Sequence, residues 1–147
     1  MNGCIFCKIA AGEIPAVKLY ESKDVVAFLD VAPMEKGHAL VVPRSHWARM
    51  ADIPAGDPAA EAQCAEWFRV VRALVAAATE EFGGANILQC NGESAGQTVD
   101  HLHLHVIPRP TGRTGAPRFE SGAAKYADDA ERDAVADRLR KALAKRL

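Results

Sequence analysis

The 147-residue sequence has no excess of charge of one sign. Its 18 basic and 19 acidic residues leave a formal net charge of −1. So even a balance gives no electrostatic basis for holding nucleic acid or an anionic membrane surface. No apolar run approaches the roughly 20 residues that cross a bilayer. The N-terminus, MNGCIFCKIAAGEIP, lacks a basic segment leading into an apolar stretch. No secretory signal is therefore expected, and the expected location is cytoplasmic. A disulfide framework is lacking too. Of the four cysteines, Cys4 and Cys7 are close together while Cys64 and Cys90 stand alone, so reduced thiols are expected. No internal repeat is present. What the chain does have is 49% hydrophobic residues, enough for the core of one globular domain over residues 1–147.

The order of elements follows from pattern and punctuation. VKLYES and VVAFLD, separated by SKD, read as a hairpin, and GHALVV (37–42) as a third strand closed by Pro43. Asp57 and Pro58 supply an N-cap and first-turn proline for a long helix to about Phe82, stopped by Gly83 and Gly84. On it, Cys64, Phe68, Val71, Val75, Ala78 and Phe82 recur at helical spacing, and Trp67, Val70, Leu74 and Ala77 widen the apolar stripe. A stripe about half the circumference wide exceeds one core face and predicts contact with two surfaces, through a homodimer or a deep cradle within one chain. ANILQC reads as a fourth strand, residues 110–122 as a mobile glycine- and proline-bearing loop, and the tail from Asp128 as a helix. That helix carries acids first and bases last, with Val135, Leu139, Leu143 and Leu147 as its seam. Hairpin-linked strands with segregated helices predict an α+β fold on a mainly antiparallel sheet.

Between the fourth strand and the loop lies DHLHLHVI, residues 100–107, with three of the five histidines at alternate positions. On a strand, side chains at i, i+2 and i+4 share a face roughly 6.6 Å apart. One face therefore presents His101, His103 and His105, and the other Leu102, Leu104 and Val106. An ordinary half-buried strand has no use for three identical titratable groups. Two chemistries do: metal chelation, and nucleophilic or acid–base catalysis by neutral imidazole. The Cys4-Ile5-Phe6-Cys7 pair is also open to two readings. A redox C-x-x-C opens a helix directly after a strand, and three preceding residues leave no room for one. Zinc requires two further ligands, for which His46 is a candidate outside the triad.

His101-Leu102-His103-Leu104-His105-Val106-Ile107 resembles the signature of the histidine triad (HIT) superfamily. The resemblance extends in order and spacing through CIFCKIAAGEIP, AFLD, GHALVVPRSHW and AGQTVDHLHLHVIPR, and is greatest to the small bacterial members of the Hint branch. It covers residues 1–112, leaving 113–147 as a variable loop and C-terminal helix. The resemblance implies a five-stranded antiparallel sheet with one long central helix and a C-terminal helix, two such sheets being joined across a homodimer. It also implies cleavage of a purine nucleoside 5′-monophosphate from its leaving group through a nucleotidyl-histidine intermediate.

Carried onto this chain, the resemblance makes His103 the nucleophile and has His105 contact the phosphate and move a proton to the leaving group. His38 becomes the fourth histidine beside the triad, as orienter or proton carrier. Gly96, Gln97, Thr98 and Val99 would surround the phosphate, where donors must be placed in advance of the charge. Asp30 would accept from the ribose hydroxyls, and Phe6, Ile9, Ile14, Phe28, Val31 and Leu40 would form the base pocket. A structural zinc site of Cys4, Cys7, His46 and His101 is implied as well, with no catalytic metal. The chain departs from the pattern eleven residues before the first motif histidine, where Cys90 replaces the usual asparagine; Asn91 is the candidate to take its role. Against this enzyme stand a nucleotide-binding regulator and an H-x-H metalloenzyme. Within the enzyme reading stands a Fhit-like dinucleoside polyphosphate hydrolase, and Arg109, Arg113 and Arg118, which follow the triad, could reach a leaving-group phosphate or stay solvated.

Overall fold

The long helix shows how punctuation fixes this chain. In the computed structural model, which describes residues 3–147, the Asp57 side chain accepts from Ala59 N at 3.2 Å and caps α2, Pro58–Phe82. The helix ends where Gly83 takes φ 126°, and no loop follows. Gly83 instead opens β4, Gly83–Leu88, two residues earlier than the expected ANILQC strand. Glycine is required there because a Cβ would lie 2.1 Å from Thr111 Oγ1. The strand then runs out before Gln89 and Cys90, which leave the ladder.

The sheet has the order β1-β2-β3-β5-β4, all pairs antiparallel, with β1 Lys18–Glu21, β2 Val25–Leu29, β3 Ala39–Pro43 and β5 Leu104–Pro110. The α+β expectation holds. β3 starts two residues later than expected, because Gly37 (φ 87°) and His38, whose N–H donates to Glu35 O, belong to the turn. The histidine strand also needs correcting. Its ladder begins at Leu104, paired with Val41, so only His105 of the triad lies within it. Pro43 on the neighbouring strand has no N–H to continue the ladder, its carbonyl accepts from His101 Nε2, and Leu102 N is diverted to Trp47 O. The alternation survives: Leu102 and Val106 are fully buried in the main core, and Leu104 packs against it.

On one sheet face, α2 buries Trp67, Val70, Leu74 and Ala77, with Trp67 Nε1 donating to Val41 O at 2.9 Å. The chain itself supplies a second surface for this helix. α3, Asp129–Ala144, capped by Asp128, packs Val135, Leu139 and Leu143 into the same core, and Arg138 reaches Glu81 at 2.9 Å. Phe68 lies outside that cover, 68% exposed. The opposite sheet face carries a smaller cluster in which α1, Ile5–Ala10, places Phe6 and Ile9 over Val26, Phe28, Leu40 and Val42. Residues 110–122, expected as a mobile loop, return to the body, with Gly122 N donating to Ala32 O at 2.9 Å and Arg109 Nη2 to Arg118 O at 2.7 Å. Among the described residues no helix is long and apolar enough to cross a membrane.

Candidate active site and metal centre

Strand register sets out the site. Phe28 pairs with Leu40, Leu40 with His105, and His105 with Leu88, so these four form one row across β2, β3, β5 and β4. A cavity of about 560 Å³ lies over this row. At its β2–β3 end the walls are Phe6, Ile9, Phe28, Leu40 and Val99, and at its β4 end Leu88, Cys90 and Phe119. His103 and His105 stand between the two, with Asp30, Val31, Gly96 and Thr98 also lining the space. Gly96 sits at φ 89°, a left-handed turn that brings the backbone to the rim.

Several expected residues lie elsewhere. Ile14 packs behind the wall in the smaller core cluster and does not reach the cavity. Gln97 is 5% exposed; its Oε1 accepts from Gly92 N at 2.7 Å and its Nε2 donates to Ala48 O and Val99 O. That amide holds the loop and does not line the cavity. Asn91 turns outward to accept from Met50 N, and Cys90 takes the lining position. Leu88 and Phe119 were missed from sequence, while Cys90 was singled out there as the residue at the family's asparagine position. Leu88 follows from the register alone, which no short-range signal encodes. Phe119, a lone large aromatic in a Gly/Pro-rich loop, was the one local signal available.

The hydrogen bonds fix which ring nitrogens carry protons. His103 Nδ1 lies 2.6 Å from His101 O, and a carbonyl only accepts, so Nδ1 is protonated and Nε2 keeps its lone pair. Met34 N donates to His38 Nδ1 at 2.9 Å, which places the His38 proton on Nε2. His38 Nε2 is 2.9 Å from His105 Nδ1, so it donates there, and the His105 proton is on Nε2. The cavity thus faces a lone pair on one imidazole and an N–H on the next, their ring centroids 5.0 Å apart. All of these rings are held neutral by burial. Desolvation pulls His38 down to about 4 against the opposing pull of Asp30, and His105 down to about 4 with help from His103 and His38. His103 is lowered in the same direction, chiefly by burial. Asp30, His38 and His105 have donor atoms within 4.8 Å of one another. A metal on His38 Nε2 would drive its proton onto Nδ1, against the Met34 N–H, so the hydrogen bonds of this cluster do not suit a chelate.

A second cluster joins α1 to the histidine segment. Donor atoms of Cys4, Cys7, His46 and His101 all lie within 4.8 Å of one another. His101 Nδ1 is 3.4 Å from each sulfur and 3.2 Å from His46 Nδ1, and Cys7 Sγ is 3.2 Å from His46 Nδ1. Tetrahedral zinc with Zn–S near 2.3 Å and Zn–N of 2.0–2.1 Å requires edges of about 3.3–3.6 Å. The residues fit. His101 donates Nε2–H to Pro43 O at 2.8 Å, which leaves Nδ1 as the ligand atom and orients the ring from its far side.

These features define an α+β protein with an imidazole-lined cavity on one sheet face and a Cys/His cluster behind it. Residues 11–112 match the HIT domain family model, and the chain belongs to the HIT domain family. It is 45% identical over 112 residues to an adenosine 5′-monophosphoramidase of Schizosaccharomyces pombe, covering 76% of this chain and 78% of that one. An uncharacterised HIT-like protein of Mycobacterium tuberculosis is 39% identical over 96% of this chain and 93% of its own. Among solved structures, a Zn-bound histidine triad family protein from Mycobacterium smegmatis superimposes with TM-score 0.78 at 35% identity, covering 98% of this chain and 95% of that one. The chain is accordingly a HIT-family hydrolase.

Proposed function

We propose that the chain cleaves a purine nucleoside 5′-monophosphate from a phosphorus–nitrogen or related leaving group through a nucleotidyl-His103 intermediate. The observation that carries this is the 2.6 Å bond to His101 O, which commits the His103 Nε2 lone pair to the cavity. In the first step Nε2 attacks phosphorus and forms the P–N bond to His103, while the bond to the leaving nitrogen breaks. The departing electron pair takes the His105 Nε2 proton, and the leaving group departs as a neutral amine. The positive charge on the substituted His103 ring offsets the proton deficit on the His38–His105 pair beside it. Water then attacks phosphorus, its proton returns to His105, and the electron pair of the breaking P–N bond restores His103. Asp30 Oδ1 is held by Ala32 N at 2.8 Å, so its carboxylate is fixed at the rim to accept the ribose hydroxyls. The base enters between Phe6, Ile9, Phe28 and Leu40.

The charge of the cavity favours phosphoramidates over dinucleoside polyphosphates. Among the described residues its lining contains no lysine or arginine. Arg113 pairs with Glu35, and Arg109 donates to Asn86 Oδ1 and Arg118 O, so both guanidiniums already have partners within the chain and neither lines the cavity. AMP release from adenosine 5′-phosphoramidate and from diadenosine tetraphosphate, run in parallel, tests both parts. The amidate is expected to turn over faster, with release lost in His103→Ala; equal release from that variant would refute the assignment.

Cys4, Cys7, His46 and His101 would hold structural zinc. Bound there, the ion would tie α1 to the catalytic segment, with four protein ligands leaving no open position. His101 would then sit firmly enough for its carbonyl to orient His103. Metal analysis should find one zinc per chain, and Cys7→Ser should lose it with a fall in Tm. Homodimerisation is supported by the outer edge of β4, the last strand of the sheet, together with exposed Ile87 and Phe68.

A further inference from the structure

Part of the cavity wall comes from beyond the family domain. The HIT match ends at residue 112, yet Phe119 and Ser121 line the same cavity as His103 and His105. The segment carrying them is fastened at several points. Ser121 Oγ and Gly122 N both donate to Ala32 O, and Arg113 pairs with Glu35. From β5, Arg109 donates Nε to Asn86 Oδ1 at 2.8 Å and Nη2 to Arg118 O at 2.7 Å, while its guanidinium carbon stands 5.2 Å from the Phe119 ring centroid. The guanidinium is therefore anchored to β4 and to the segment at once and supports the ring. Phe119 still keeps 46% of its surface exposed, so the fold fixes this ring without burying it.

Its place along the cavity gives the purpose. In the row Phe28–Leu40–His105–Leu88, the base end lies on the β2–β3 side of His105 and Leu88 on the β4 side. Cys90 follows β4, and Phe119 stands against Arg109, which is bonded to Asn86 of β4, so both line the cavity on the Leu88 side. A group leaving phosphorus opposite the nucleoside meets this apolar end, where no cationic side chain is presented.

We infer that Phe119 determines leaving-group specificity: with Leu88 and Cys90 it forms a subsite for an arylalkyl amine, one that carries an aromatic ring on its alkyl chain, departing from phosphorus. This rests on the nucleotidyl-transfer reading above and adds to it the class of leaving group. The ring offers a face or an edge for stacking, and Arg109 keeps it in place, so little order is lost when the substrate arrives.

The test compares adenosine 5′-phosphoramidate with its N-benzyl derivative on wild type, Phe119→Ala, Phe119→Tyr and His103→Ala. Wild type is expected to prefer the benzyl substrate in kcat/KM. Phe119→Ala should reduce the benzyl-to-unsubstituted ratio about tenfold, the scale of one lost aromatic contact. Phe119→Tyr should hold the ratio within about threefold, because the ring remains. A ratio unchanged in Phe119→Ala, or no wild-type preference for the benzyl substrate, overturns the subsite. Failure of the underlying reading looks different: wild type would release no more AMP than His103→Ala from either substrate.

Discussion

At the scale of single residues, the site works through protons fixed by backbone groups. In the proposed reaction His103 attacks through Nε2 because a carbonyl two residues back occupies its other nitrogen, and His105 gives a proton because Met34 N–H sets His38, which sets His105. Replacing His105 by alanine should lower kcat by about 10²–10⁴-fold with a smaller change in KM, the range for loss of a general acid; an equal rise in KM would make it a binding residue only. Asp30→Asn should act differently, raising KM by about tenfold with kcat nearly held, since a hydrogen bond to a charged acceptor is worth about 1.5–3 kcal/mol and only part of it is lost. Steady-state kinetics on the amidate separates the two. Burial of neutral imidazoles also fixes a pH response. His38 and His105 titrate at about 4 in the folded chain, below the value near 6.5 that an unfolded histidine shows. Between those values the unfolded chain binds more protons, so stability is full above about 6.5 and declines as pH falls towards 4. Urea midpoints at about pH 7 and about pH 5 should show this loss, and His105→Asn should lose less than wild type. A midpoint that rises on acidification contradicts the assignment of neutral, buried rings.

At the scale of elements, local chemistry was legible and long-range pairing was not. The cap and first-turn proline of α2, its stop at Phe82 and the capped C-terminal helix were all readable, because Asp, Pro and Gly act within a turn of their own position. The limits of the histidine strand were not. They depend on Pro43, sixty residues earlier in the chain, which lacks the N–H that would have extended the ladder. Gly83 shows the same limit: as a helix stop it was visible, but its second role, admitting Thr111 from the β5 end, appears only in three dimensions. Gly83→Ala should therefore destabilise by more than the roughly 1 kcal/mol of a strained backbone, because the neighbouring chain must also move. Trp67→Ala, which removes a core ring and the donor to Val41 O, should cost about 3–5 kcal/mol. Denaturant titration checks both, and a Gly83→Ala variant as stable as wild type would undo the account of the helix–strand joint.

At the scale of the whole molecule, the sheet is the common frame. It places an apolar end, two imidazoles of complementary protonation and a second apolar end in one row, with the Cys/His cluster at the segment that carries His103. Most of the residues gathered at the site could be named from the sequence, since the triad and the blocks around it are compact in number space. Gln97 and Asn91 could not be placed, because a polar residue in a loop serves either the loop or the ligand and spacing does not separate the two. The stripe on α2 likewise foretold two contact surfaces without assigning them. They are the sheet and α3, and exposed Phe68 with the outer edge of β4 supports the proposed second copy. Light scattering should give twice the chain mass, with Phe68→Glu shifting the population towards monomer. A wild-type monomer at micromolar concentration would remove the dimer from the account.

The proposed reaction turns on a covalent bond between phosphorus and His103 Nε2. Its most direct test is intact mass analysis of wild type and His103→Ala, each mixed with adenosine 5′-phosphoramidate and quenched in denaturant within one turnover. A transient gain of one adenylyl group is expected in wild type, mapped by fragmentation to His103, and none in the variant. AMP released during that turnover with no adduct, or an adduct on any other residue, would contradict it.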